Sequence, residues 1–156
     1  MPKISFLTVI GPLTIAEEGG AVRSILFMDD GSEGHSDLLD EASAQVRAFL
    51  DGRLRRFDLP ILYDGGEFFM RAWDAMLRIP YGEAQTYGDI ASKAGYPRAA
   101  RAVGMACNRN PLPLIIPCHR VVGANGWIGG FGGGLDIKRK LLEIEGTSRP
   151  DFPLAF

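Results

Sequence analysis

The chain has 156 residues, 46% hydrophobic and 23% charged, with a formal net charge of −2 at pH 7. That length suits one domain or two small ones and can bury roughly two-thirds of the unfolded surface. No apolar run approaches the ~20 residues of a membrane helix, and two cysteines do not make a disulfide scaffold.

The opening Met-Pro-Lys-Ile-Ser-Phe lacks a signal-peptide pattern, so a cytoplasmic, reducing location without a membrane is the expectation. Charge is unevenly spread. Residues 1–60 carry 10 acids against 6 bases, a net of −4, and residues 61–156 carry a net of +2. Between Gln85 and Asn125 one acid, Asp89, faces Lys93, Arg98, Arg101, Arg109 and Arg120. A local basic face can steer a polyanion while the total stays acidic; charge alone leaves a merely solvated face equally open.

Residues 4–10 and 12–18 read as extended and apolar, parted by Gly11-Pro12. Glu18-Gly-Gly-Ala21 is a hairpin turn, because glycine tolerates positive φ, and Ala21–Met28 is a third strand. A polar loop follows from Asp29 to His35. Ser36 or Asp37 can cap a helix to about Leu50, with Leu38, Leu39, Ala42, Val46, Phe49 and Leu50 on one face, and Gly52 stops it. Leu54–Leu59 is expected as one more strand. Pro60–Gly66 is the expected boundary, giving lobes of 1–62 and 63–156.

Glu67–Arg78 has helical periodicity, with Phe69, Ala72, Trp73, Met76 and Leu77 facing a core. Thr86–Ala94 reads as a short helix, Thr86 its cap and Asp89 three residues on. Gly95 ends it. Pro97 suits the first position of a next helix, running to about Cys107. Helix, short turn and a helix of small residues is a helix-turn-helix pattern, which many ordinary helical pairs share.

The chemistry concentrates in Asn110–Val122. Prolines at 111, 113 and 117 stiffen the approach to Cys118-His119. Cysteine is often a plain buried hydrophobe. A neighbouring histidine and arginine, however, lower a thiol's pKa. Adjacent residues on a strand point to opposite faces, so the pair can cooperate only if the chain turns here or a water bridges them.

Pro117-Cys-His-Arg-Val121 resembles the active-site signature of the O6-alkylguanine-DNA alkyltransferases. The resemblance runs from about Tyr81 to Gly146 through Tyr81-Gly-Glu, Thr86-Tyr-Gly-Asp-Ile-Ala, Ala99-Ala-Arg-Ala-Val-Gly104, Asn110-Pro and the Gly-rich run before Lys138. It implies an α+β protein. The N-terminal lobe would be a ribonuclease-H-like antiparallel sheet plus helix, serving as scaffold. The C-terminal lobe would be helical, with the helix-turn-helix. The implied activity is single-turnover transfer of the alkyl group from O6-alkylguanine, with O4-alkylthymine a further candidate, to Cys118. His119 is the implied base through a water, Glu145 its orienter, and Asn110 the tie for the active-site turn. Arg120 gives structural support.

Tyr87 is the implied hydrogen-bond donor to the guanine. The second helix would enter the minor groove of double-stranded DNA, with Arg101 replacing an extruded nucleotide. Thr86, Arg98, Ala102, Gly104, Val121, Ala124, Phe131 and Gly132 would complete the DNA and base contacts. Phe131, Gly132 and Cys107 depart from common family residues. In the last helix, 135–145, Ile137, Leu141, Leu142 and Ile144 are expected core. The two Cys and two His show no zinc-ligand spacing, so no metal or cofactor is expected, and a monomer is. Two rival readings are a non-enzymatic lesion-sensing or regulatory DNA-binding protein and a thiol hydrolase with turnover.

Overall fold

Alternating apolar residues and glycine turns at the start of the chain produce a three-stranded antiparallel sheet. In the computed structural model, which describes residues 1–129, 131 and 133–147, its strands are β1 (Lys3–Thr8), β2 (Gly11–Glu18) and β3 (Ala21–Leu26), ordered β1-β2-β3. The chain divides into two units: residues 1–63 with 111–113, and residues 64–110 with those from 114 onward.

In the first unit, Gly19 and Gly20 adopt the positive φ that the hairpin needs. The earlier turn lies at Val9-Ile10, not at Gly11-Pro12. Thr8 closes it, its hydroxyl donating to the Gly11 carbonyl at 2.7 Å and accepting from the Ile10 amide at 3.2 Å. Pro12 is tolerated within β2 because pairing with β3 begins only at Thr14, so no ladder donor is missed there.

Ser36 caps α1 (Asp37–Leu50), its hydroxyl accepting from the Leu39 amide at 3.0 Å. Leu39, Ala42, Val46, Phe49 and Leu50 are buried, as periodicity requires. They share the unit's core with Leu13, Ile15, Val22 and Ile25. The expected strand at 54–59 does not form. The amide of Gln45 takes both backbone groups of Asp58, at 2.9 and 3.0 Å, in place of a ladder partner. The extended contact comes later, where Val22 bonds Pro60 and Leu62 on either side of Ile61.

The second unit holds α2 (Glu67–Leu77), β4 (Gln85–Thr86), α3 (Tyr87–Lys93), α4 (Ala100–Asn108), a single 3₁₀ turn (Cys118–Arg120), β5 (Val121–Val122) and α5 (Leu135–Glu145). Trp73 is core, its indole N–H donating to the Ala106 carbonyl of α4 at 2.9 Å. Thr86 and Asp89 form a complete reciprocal capping box, both bonds at 3.0 Å. Gly95, at φ +90°, ends the segment after α3.

The next helix begins at Ala100, three residues later than Pro97 implied. Residues 96–99 form a turn closed by the Ala99 amide on the Tyr96 carbonyl, and no side chain caps α4. In α5 the buried stripe is Lys138, Leu141, Leu142 and Glu145, while Ile137 and Ile144 are half-buried. The helix is therefore rotated from the expected core face, and its inward positions include two charges.

Candidate active site

The segment before Cys118 is built to turn. Leu114 takes φ +78°, the only positive value at a non-glycine among the described residues, and is nonetheless buried. Left-handed backbone at a leucine costs about 1–2 kcal/mol, which packing on all sides must offset. Asn110 donates from Nδ2 to the Ile116 carbonyl at 2.8 Å. The Cys118 amide bonds Ile116 and the Arg120 amide bonds Pro117, closing the 3₁₀ turn. The turn condition that the sequence set for Cys118 and His119 to cooperate is thus met.

His119 and Glu145 are both buried and joined by a 2.6 Å hydrogen bond from Nε2 to Oε2. Arg120 completes the pair. Its Nε lies 2.9 Å from Oε1, its Nη2 lies 3.0 Å from Oε2, and its Nη1 donates to the Ile79 carbonyl at 2.7 Å. The Gly82 amide supplies another donor to Oε1 at 3.0 Å. Burial alone would raise the Glu145 pKa. The His119 hydrogen bond and charge, then those of Arg120, outweigh it and bring the group down to about 2. Glu145 is therefore an ionised acceptor. The Nε2 of His119 must carry the proton, leaving the lone pair of the neutral ring on Nδ1. Burial holds the His119 pKa below its usual value, with the Glu145 hydrogen bond and charge pulling the other way.

Cys118 is 2% exposed. Its thiol is not lowered as its neighbours suggested: burial raises it, and the opposing Asn110 hydrogen bond and Lys138 charge do not overcome that. Both cysteines are free. Burial likewise raises the Cys107 thiol, to which negative charge on Cys118 adds.

Tyr87 opens α3, and β4 delivers it by pairing in parallel with β5, Thr86 opposite Val122. Burial raises its hydroxyl pKa, so the group stays protonated and able to donate. Gly129, at φ +74°, lies so close that a Cβ there would meet the Tyr87 hydroxyl. Gly129→Ala is expected to lower stability by about 1–3 kcal/mol through clash and backbone strain. Thermal denaturation checks this, with part of the loss recovered when Tyr87→Phe removes the oxygen.

Lys138 was missed as a functional candidate. Its ammonium donates to the Val121 carbonyl at 2.6 Å and lies 5.8 Å from the centre of the Tyr87 ring. By spacing it shares a face with Leu141, Leu142 and Glu145, but the neighbouring Ile137 offers an apolar alternative, so the sequence alone does not single it out.

Val103, Ala106 and Cys107 of α4 face inward, Arg101 and Met105 are exposed, and open space lies over Gly104. Ala102 is half-buried and Arg98 is exposed in the turn before α4. Of the remaining candidates, Val121 is buried, Ala124 is exposed in a turn, Phe131 is half-buried and Gly132 lies outside the described residues. The described residues hold no cluster of three or more metal-binding side chains, and none of their helices is long and apolar enough to cross a membrane.

The profile of the 6-O-methylguanine DNA methyltransferase DNA-binding domain matches residues 67–147. The methylated-DNA–protein-cysteine methyltransferase of Methanosarcina acetivorans is 43% identical over 150 residues, covering 91% of this chain and 96% of that protein. The protein of the same name from Methanosarcina barkeri is 50% identical over 144 residues, covering 87% and 91%. The crystal structure of Mycobacterium tuberculosis OGT in complex with DNA superposes with a TM-score of 0.86 at 41% identity, covering 94% of this chain and 93% of that one. With a thiol, a buried His-Glu pair and a helix-turn-helix in one unit, and relatives matching along nearly its whole length, the chain belongs to the methylated-DNA–protein-cysteine methyltransferase family.

Proposed function

We propose that the protein binds DNA and repairs it by direct reversal, moving the alkyl group of an O6-alkylguanine onto Cys118 once and keeping it. The observation that carries this reading is the 2.6 Å His119–Glu145 hydrogen bond on the turn that holds Cys118. It sets the tautomer and orientation of the imidazole that follows the soft nucleophile in the turn, leaving Nδ1 as the basic atom.

The step balances as follows. The Cys118 proton leaves through a bridging water towards Nδ1 of His119. A sulfur–carbon bond forms while the carbon–O6 bond breaks in line. The departing guanine takes a proton from the Tyr87 hydroxyl, and the phenolate regains one from the imidazolium by way of solvent, so in net terms the thiol proton passes to the base. Glu145 stabilises the imidazolium as it forms, and Asn110 and Arg120 hold the turn. Cleaving the thioether would expel a thiolate from an unactivated carbon, so the alkylated protein does not turn over.

The target atom is inaccessible inside a base stack, so the nucleotide must swing out. The exposed Arg101, with Ala102 and Gly104 leaving room for close approach, supports entry of α4 into the minor groove and occupation of the vacated space by the arginine. Thr86, Arg98, Val121, Ala124, Phe131 and Gly132 are assigned the surrounding DNA and base contacts. Residues 63–156 carry both binding and chemistry, residues 1–62 are scaffold, and the protein works as an intracellular monomer.

Titration of O6-methylguanine duplex against the protein is expected to end at one equivalent, with intact mass gaining a single methylene. Product rising linearly beyond one equivalent would instead mean turnover and a hydrolytic thiol.

A further inference from the structure

The first unit carries a run of positive charge that neither its fold nor the chemistry above uses. Residues 1–60 hold 10 acids against 6 bases, and three of those bases, Arg53, Arg55 and Arg56, fall within four residues. The other three are engaged inside the unit. Lys3 pairs with Asp30 at 3.4 Å, Arg23 pairs with Glu18 at 3.4 Å, and the Arg47 guanidinium lies 5.0 Å from the centre of the Phe6 ring. The arginine run instead occupies the loop after α1, where all three residues are exposed.

A surface loop is ordinarily among the more mobile parts of a domain. This one is tied down at both ends. Gly52, at φ +77°, lets the chain reverse, and the Gly52 and Arg53 amides take the last carbonyls of α1, on Phe49 at 3.1 Å and Ala48 at 2.8 Å. The Leu54 amide also reaches Ala48, at 3.2 Å. Phe57 packs on Phe49 with ring centres 5.0 Å apart, and Gln45 holds both backbone groups of Asp58. The half-buried Leu54 and Phe57 are interleaved with the exposed arginines. The dipole of α1 favours a cation at its end, but Arg47 already fills the last turn, and the effect fades beyond it.

We propose that Arg53, Arg55 and Arg56 form a phosphate-binding surface that holds the backbone of duplex DNA outside the stretch entered by α4. It adds a DNA contact to a unit so far assigned only a scaffold role, and it rests on the function proposed above, which brings that polyanion to the protein. Guanidinium forks match phosphate oxygens two at a time. A loop fixed before binding has less freedom to lose on binding. Such contacts hold the duplex without reading its sequence.

The test compares wild type, the triple variants R53Q/R55Q/R56Q and R53K/R55K/R56K, and R23Q as a control elsewhere on the unit. Affinity for an undamaged duplex of about 40 base pairs is measured by fluorescence anisotropy from about 50 to about 200 mM salt. The slope of log affinity against log salt is expected to fall by about 2–3 in the glutamine variant and to hold in the lysine variant and in R23Q. The affinity gap between wild type and the glutamine variant should narrow by roughly tenfold to fortyfold over that range. Phenylglyoxal labelling of the wild type, mapped by peptide mass, should show the three arginines shielded by duplex.

An unchanged slope in a folded glutamine variant, or labelling that duplex does not alter, would overturn the proposal. So would a comparable fall per charge in R23Q, which would reduce the effect to net charge, or arginine-dependent binding of phosphatidylglycerol vesicles and not of duplex. Should circular dichroism show the glutamine variant unfolded, the labelling of the wild type decides. If the wild type holds duplex through these arginines yet takes no methyl group from O6-methylguanine, the functional reading fails and the surface stands. Transfer with an unchanged slope is the reverse case.

Discussion

Cys118→Ala is expected to abolish methyl transfer while leaving affinity for an O6-methylguanine duplex within about threefold of wild type. The contacts assigned to Thr86, Arg98, Arg101, Ala102 and Gly104 lie on the cap of α3, the 96–99 turn and α4, none of which contains Cys118. Transfer requires the sulfur itself, because the second cysteine, Cys107, lies on α4 and not on the turn that carries His119. The substitution removes one buried sulfur, at a cost of about 1 kcal/mol, so the fold should survive. Intact mass after long incubation reads the chemistry, and fluorescence anisotropy of a labelled duplex reads the binding. A protein that still gains a methylene would place the acceptor elsewhere. Loss of binding together with transfer would mean that the thiol shapes the DNA surface.

Glu145→Gln is expected to cost about 3–5 kcal/mol of folding stability, the range for removing one partner of a buried ion pair. It leaves the buried Arg120 guanidinium without its carboxylate and weakens the acceptor of His119 Nε2. Transfer should also slow by about a hundredfold, as the imidazole loses the partner that sets its tautomer.

The pH dependence follows from the direction of the shift. The folded-state pKa of Glu145 lies near 2, below its ordinary value of 4.5. Its contribution is therefore fully present above pH 4.5 and fades as pH falls towards 2. Denaturant melts of wild type and E145Q should differ most near neutrality and converge across that acid window. A gap that stays constant down to pH 2 would mean that the carboxylate charge is not what stabilises the fold.

Elements with strong local signals were legible from sequence. Helix α1 carries five buried apolar residues at helical spacing and a serine cap. Thr86 and Asp89 announce the start of α3 by chemistry that acts within three residues. Misreadings arose where distant partners decided the outcome. Residues 54–59 have a strand-like composition, yet the side chain of Gln45 reaches Asp58 first. Pro97 suits a first helical position, but without a capping side chain the chain completes a turn before α4 begins.

The site divides in the same way. The motif pointed to Cys118 and His119, and the resemblance supplied Glu145. The Gly82 amide and the Ile79 carbonyl, which hold that carboxylate and its arginine, are backbone groups that no residue pattern could single out. The rotation of α5 that buries Lys138 is equally silent. Ile137 is the more apolar neighbour, and only the packed helix shows which of the two turns inward.

The carboxylate of Glu145 is gripped simultaneously by the imidazole, the guanidinium and a loop amide, and the guanidinium reaches on to the residues after α2. Reactivity and architecture therefore share a single fastening, which selection cannot loosen for one purpose alone. A descendant that abandoned its acceptor cysteine would still lose stability on losing either Arg120 or Glu145 alone. Persistence of those two residues in a distant cousin is consequently a record of ancestry and shape, and does not testify that the cousin still performs the reaction.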